Sequence, residues 1–203
     1  MGIYSDVILP KLCDLSMRNE RLHPYRERVI GAAEGRVLEI GSGSGLNLPF
    51  YRGSIREILA LEPDPTLLAM ARRVPHSEMP VTFIEDSAET IPLDDKSVDT
   101  VVTTWTLCTI PGSAAALSEM RRVLRPDGKL LFVEHGLSPD RGVRWWQDHL
   151  TPIWRRISGG CHLNRPIRSM IEAAGFQIDR IETGYMQGPK PMTFTYEGSA
   201  RRN

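Results

Sequence analysis

The sequence predicts a single α/β domain with a mostly parallel sheet covered by helices on both faces. Three observations carry this. Short apolar runs alternate with helical patterns along the chain, as strand–helix–strand units require. The first of these runs ends in a glycine-rich turn, GSGSG at residues 41–45. The chain has 203 residues, 41% apolar and 25% charged, which is enough for one sizeable core.

The elements follow in order. Residues 5–17 read as an amphipathic helix interrupted or kinked by Pro10 and placed over the ligand edge of the sheet. Residues 36–40 (RVLEI) form a buried strand that runs into Gly41, Gly43 and Gly45 and then a helix. Residues 57–62 (EILALE) form a second strand. Asp64 and Pro65 supply an N-cap and a first-turn proline for a helix to about Val74. Residues 81–85 and 98–104 are the third and fourth strands. Ser113 caps a helix with Leu117, Met120 and Leu124 on one face. Pro126-Asp127-Gly128 turns the chain into a fifth strand, residues 129–134.

The Trp-rich stretch 142–157 is helical. Trp146, Leu150, Ile153, Trp154 and Ile157 share a face expected to pack in the core, with Trp145 and His149 on another edge. Asn164 or Arg165 caps a further helix, with Pro166 inside its start and Gly175 past its end. Residues 177–183 and 192–200 are closing strands around a turn at 188–191.

Lys and Arg number 25, as do Asp and Glu, so there is no basic excess of the kind nucleic acid demands. The apolar runs are too short to span a membrane. The first thirty residues are too charged for a signal peptide, and Asp6 spoils Gly2 as a lipidation site. Cys13, Cys108 and Cys161 do not make a disulfide framework, which implies reduced thiols in the cytoplasm.

The cofactor signal lies in VLEIGSGSGLN, residues 37–47. Glycines after a first strand let backbone approach a ligand, and an open α/β sheet binds ligands at the carboxyl ends of its strands. Glu62 ends the second strand about 20 residues on, where an acid accepts hydrogen bonds from ribose hydroxyls. A dinucleotide fingerprint wants glycine at position 46, but Leu46 stands there. Glu39 at the strand's mouth would oppose a pyrophosphate but favour the ammonium and sulfonium of S-adenosylmethionine (SAM). After the third strand, Asp86, Ser87 and Ala88 are candidates for the adenine edge.

Together these residues resemble the class I SAM-dependent methyltransferases, within the ubiquinone/menaquinone C-methyltransferase-like superfamily. The matching segments are VLEIGSGSGLN, LEPD at 61–64, SAETIPLDDKSVDTVV and EMRRVLRPDGKLLFVEHG. GLNLPFY, TWTLCTI and WWQDHLTPIWRRISGGCHLNR resemble a narrower group of bacterial proteins similar to animal thiol S-methyltransferases. The resemblance implies one Rossmann-like domain: an N-terminal helical lid over residues 1–30, a SAM-binding core over 31–136, and acceptor-side helices and strands over 137–203. It implies that Glu39, Gly41, Gly43, Gly45 and Asn47 line the methionine and sulfonium region, with Ser42 and Thr104 also among the cofactor-binding residues. Glu62 would hold the ribose, Pro63 and Asp64 the adenine wall, and Asp86, Ser87 and Ala88 the adenine edge. Where many members place an Asp, this chain has Ser87, with its Asp one position earlier.

On the acceptor side, Thr104, Trp105 and Cys108 follow the fourth strand and His135 the fifth, so both loops border the cleft. His135 is the candidate base or acceptor ligand and Trp105 a wall of the methyl pocket. Tyr4, Leu12, Cys13, Trp145, His149, His162 and Asn164 complete the acceptor candidates. The adjacent pair Cys161-His162 lacks zinc-ligand spacing, so no metal is expected. The expected activity is SAM-dependent methylation of a small molecule at a thiol, amine, hydroxyl or carbon, leaving S-adenosylhomocysteine. A catalytically silent SAM-binding protein and a nicotinamide-dependent oxidoreductase are the alternatives.

Overall fold

The computed structural model describes residues 2, 4, 8–75 and 79–203. Its sheet has seven strands: β1 Gly35–Ile40, β2 Ile55–Leu61, β3 Val81–Ile84, β4 Val98–Thr104, β5 Leu124–His135, β6 Phe176–Tyr185 and β7 Phe194–Arg202. They lie in the order β3-β2-β1-β4-β5-β7-β6. The pairings from β3 through β5 are parallel, and β7 runs antiparallel to both of its neighbours. The winding reverses between β1 and β4, which opens a crevice at the carboxyl ends of those strands.

Strands buried on both faces explain the continuous apolar runs, because alternate residues enter opposite layers. Val37, Ile58, Val102 and Val133 pack with Val29 and Ile30 of helix α2 (His23–Ile30) on one face. Leu38, Leu59, Val101 and Phe132 pack on the other. There they meet Leu117 and Met120 of α4 (Ser113–Val123) and Ile171 of α6 (Ile167–Ala173). Each such fully buried side chain contributes about 1.5–3 kcal/mol. Helix α3 (Pro65–Ala71) starts as its sequence dictates, with Asp64 Oδ1 accepting from the backbone N–H of Thr66 at 2.7 Å and of Leu67 at 3.2 Å.

Four local expectations are corrected. The chain does not enter a helix after the glycine turn; only a 3-10 turn, Leu48–Phe50, forms there around Pro49. Pro10 does not break helix α1 (Leu9–Met17) but sits in its first turn, where no N–H is missed; Ser5, Asp6 and Val7 lie outside the described residues. Residues 125–128 bulge out of β5, since Leu124 pairs with Val98 and Lys129 with Thr100. A short helix α7 (Lys190–Thr193) replaces part of the last turn.

The largest correction concerns helix α5 (Arg141–Ile157). Its apolar stripe does not face the core: Trp146 is 52% exposed, Ile153 63% and Ile157 51%. Leu150 and Trp154 of the stripe are half-buried, and the fully buried positions are polar, Gln147 and Thr151. Gln147 is fully buried, its Nε2 donating to the carbonyls of Gly136 (2.9 Å) and Pro191 (3.1 Å) while its Oε1 accepts from Ser138 N–H (2.9 Å). One amide thus satisfies three backbone groups that would otherwise be buried unpaired. Among the described residues no helix is long and apolar enough to cross a membrane.

Candidate active site

A cavity of about 620 Å³ lies over the carboxyl ends of β1, β2, β4 and β5. Its floor is the glycine turn. Gly41, Gly43 and Gly45 all adopt positive φ, at 64°, 55° and 79°. A Cβ on Gly43 would meet nothing within 4 Å, whereas one on Gly45 would come within 3.1 Å of Ala71. Gly43 therefore leaves backbone open to a ligand, and Gly45 lets the turn pack against α3. Glu62 pins the turn from β2: one carboxylate oxygen accepts from Gly43 N–H at 2.9 Å and the other from Asp64 N–H at 3.0 Å. Burial raises its pKa.

Of the sequence candidates, Gly41, Ser42, Gly43, Asn47, Glu62, Pro63, Ser87, Ala88 and Thr104 line the cavity, with Cys13, Trp105, Cys108 and His135. Glu39 lies one layer behind the wall. It accepts from Asn47 Nδ2 (2.8 Å) and Tyr51 Oη (3.0 Å), and burial pushes its pKa up to about 7. Asn47 is fully committed within the protein: Nδ2 also donates to Thr104 Oγ1 at 2.9 Å, and Oδ1 accepts from Arg26 Nε at 2.9 Å. Asp64 caps α3, and Asp86 Oδ1 accepts from Ser87 N–H at 2.7 Å. Neither Asp reaches the wall.

Six acceptor candidates sit away from the cavity. Tyr4 Oη donates to the Ile157 carbonyl at 2.5 Å, and Leu12 is half exposed. Trp145 stacks on His149 at 4.0 Å on the exposed side of α5, and Asn164 donates to Asp148 at 2.8 Å. The sixth, His162, also lies off the wall, its Nδ1 3.1 Å from the Cys108 carbonyl oxygen.

Several wall residues escaped the sequence reading. Arg26 bridges two sides of the site, through Nε to Asn47 and through Nη2 to the Met17 carbonyl at 2.9 Å. Burial lowers its pKa to about 10, so it stays a cation at neutral pH. Its guanidinium lies 5.3 Å over the Trp105 ring. Ser44 Oγ donates to Asp14 Oδ1 of α1 at 2.5 Å, which ties that helix to the glycine turn. Met186 and Met192 close the far side. Glu134, fully buried, accepts from Thr103 Oγ1 (2.7 Å) and from the N–H groups of Thr106 and Leu107 (both 3.1 Å). It shapes the loop that holds Trp105 in a left-handed conformation, φ 50°.

Compared with known proteins, residues 38–132 match the family model described as "Methyltransferase domain". The stretch from β1 to β5 thus carries the sequence pattern of a methyltransferase domain. It is 33% identical over 157 residues to the thiol S-methyltransferase TMT1B of Rattus norvegicus, covering 73% of this chain and 63% of that protein. It is 35% identical to TMT1B of Homo sapiens, covering 74% and 64%. The chain thus spans just under two thirds of the length of these relatives. A SAM-dependent methyltransferase from Thermotoga maritima shares the fold, with a TM-score of 0.67 at 18% identity over the full length of both chains.

The residues present fit SAM. Gly43 offers open backbone beside Glu62. The buried Ser42 Oγ and the indole N–H groups of Trp105 and Trp154, all from wall residues, find no partner among the described residues. Buried polar groups are rarely left this way without a ligand or water to meet them.

Proposed function

We propose that this methyltransferase domain moves a methyl group from SAM to the sulfur of a small, largely apolar thiol. The observation that carries the reading is the continuity of the cavity, from the glycine turn and Glu62 to the wall of Trp105, Met17, Met186 and Met192. One end suits a nucleoside and an amino acid, the other an apolar acceptor. The thiol S-methyltransferase relatives support sulfur as the accepting atom.

The SAM, when bound, supplies an electrophilic methyl on a sulfonium. Glu62 accepts from the ribose hydroxyls, and Ser87 and Ala88 meet the adenine edge. Arg26 meets the carboxylate of the methionine end. Glu39 acts through Asn47 and Thr104, which it holds in place. Trp105 walls the methyl pocket, and the acceptor's sulfur lies toward Cys108 and His135.

Helix α1 serves as a lid, since Cys13, Asp14, Ser16 and Met17 line the cavity and Asp14 is latched to Ser44. A lid there excludes water and holds the nucleophile in line. We divide the chain accordingly into a lid over residues 1–30, a SAM-binding core over 31–136 and an acceptor side over 137–203. Three free cysteines, two of them with sulfurs 3.6 Å apart, support a reducing compartment such as the cytoplasm.

The test is methyl-labelled SAM offered with a panel of aryl and alkyl thiols, amines and phenols. Label should pass to thiols. Transfer only to amines or phenols would overturn the acceptor assignment, and cofactor binding without any transfer would mark a silent binding protein.

A further inference from the structure

We propose that Cys108, His135 and Cys161 form a three-ligand zinc site whose fourth position opens into the cavity and takes the acceptor's sulfur; this role rests on the thiol reading above. The three residues come from separate parts of the fold: the loop after β4, the end of β5 and the turn after α5. All three line the cavity, and their ligand atoms lie within 4.8 Å of one another.

Two of the three ligand–ligand distances match the edges of a tetrahedron, and the third lies within 4.8 Å. Zinc–sulfur bonds of about 2.3 Å and a zinc–nitrogen bond of about 2.05 Å put the sulfurs about 3.8 Å apart and sulfur and nitrogen about 3.6 Å apart. Here Cys108 Sγ and Cys161 Sγ are 3.6 Å apart, and Cys161 Sγ is 3.4 Å from His135 Nε2. Three protein ligands with one open vertex is the arrangement of catalytic zinc rather than structural zinc.

The surroundings suit such a site. The His162 backbone N–H donates to the Cys108 carbonyl at 2.9 Å, which ties the turn carrying Cys161 to the loop carrying Cys108. The Cys108 loop is held by Glu134 through the N–H groups of Thr106 and Leu107, and by Arg165 Nη1 donating to the Leu107 carbonyl. Two thiolates neutralise the ion. Arg165, whose guanidinium donates to the Leu107 carbonyl beside Cys108, offsets the charge of a third, incoming thiolate.

The chemistry balances without a redox partner. A thiol that coordinates the ion releases its proton to solvent, because a metal-bound thiol is deprotonated. The sulfur's lone pair forms the new bond to the methyl carbon. The old carbon–sulfur bond breaks, and its electron pair stays on the departing S-adenosylhomocysteine. The methylated product is a neutral thioether, a weaker ligand than the thiolate, and leaves.

The test uses the full chain, stripped with a chelator under reducing conditions and titrated with zinc or with cobalt(II) as a spectroscopic probe. One ion per chain is expected. Cobalt should give the intense visible bands of a tetrahedral site and a sulfur charge-transfer band, and thiophenol should shift both. Cys108→Ser and Cys161→Ser should each weaken zinc by more than about a hundredfold, the upper end of what losing an outer-shell partner does. Melting and S-adenosylhomocysteine binding report whether these variants are folded. The wild-type titration stands even if they are not.

A folded, reduced wild-type chain that binds S-adenosylhomocysteine but takes up no stoichiometric cobalt would overturn the site. So would a Cys108–Cys161 disulfide formed in preference to metal. Undiminished thiol methylation by the metal-free chain would remove the catalytic role while leaving the thiol reading intact. A thiophenol-sensitive cobalt spectrum without thiol methylation would support the site and sink the acceptor assignment instead.

Discussion

Replacing Glu39 by Gln should flatten the pH dependence of stability. Glu39 is 1% exposed, and burial raises its carboxyl from 4.5 to about 7 although Asn47 and Tyr51 both donate to it. A carboxyl whose pKa is higher in the folded state binds, between the two values, a proton that the unfolded chain has released. The native state therefore loses stability as pH rises through this window. The gap corresponds to about 3 kcal/mol in the limit, of which roughly 2.4 kcal/mol is lost between pH 5 and pH 7.5. Glu134 is buried in the same way and also raised to about 7, so the wild-type chain should fall by about twice that amount. Gln at position 39 keeps an acceptor for Asn47 and cannot ionise, so the variant should retain only the Glu134 half. Urea unfolding of both proteins across this range reads the difference directly. Parallel curves would show instead that Glu39 is charged in the native state throughout, paired with Arg26.

Four further outcomes are expected. Glu62→Ala should weaken S-adenosylhomocysteine by about 2–3 kcal/mol by calorimetry with the fold intact, since it unpins Gly43 and removes the proposed ribose acceptor. Gly45→Ala should cost about 1–3 kcal/mol in chemical unfolding, because φ is 79° and the new Cβ comes within 3.1 Å of Ala71; an unchanged midpoint would contradict the close packing there. Trp146→Ser should change stability by less than about 0.5 kcal/mol, as an exposed side chain should, whereas a core Trp would cost several times more. Deleting residues 1–17 should loosen S-adenosylhomocysteine and abolish turnover while a folded domain remains. A truncated protein that melts lower yet binds and turns over normally would make α1 a flank helix.

The strands were legible because a doubly covered sheet demands unbroken apolar runs, and the Asp64-Pro65 helix start because capping is local chemistry. The face of α5 was not. Periodicity says which residues share a side of a helix, and it correctly groups Trp146 with Ile153 and Ile157. Which side turns inward was settled by Gln147, whose three hydrogen bonds go to residues near and far in the chain. The helix expected after the glycine turn is reduced to a single 3-10 turn, Leu48–Phe50. In the site, the glycines and Glu62 announce themselves by spacing. Arg26 lies in a charged stretch that reads as solvated, and Glu134 ends an apolar run that reads as plain core. The cluster of Cys108, His135 and Cys161 has no motif spacing, because separate loops assemble it.

Every role proposed above depends on SAM binding in the cavity over β1, β2 and β4. Calorimetric titration of the full chain with S-adenosylhomocysteine and, separately, with NAD tests it most directly. Saturable one-to-one binding of S-adenosylhomocysteine, weakened in Glu62→Ala and with no measurable heat from NAD, is the predicted result. Tighter binding of NAD than of S-adenosylhomocysteine by the wild-type chain would contradict it.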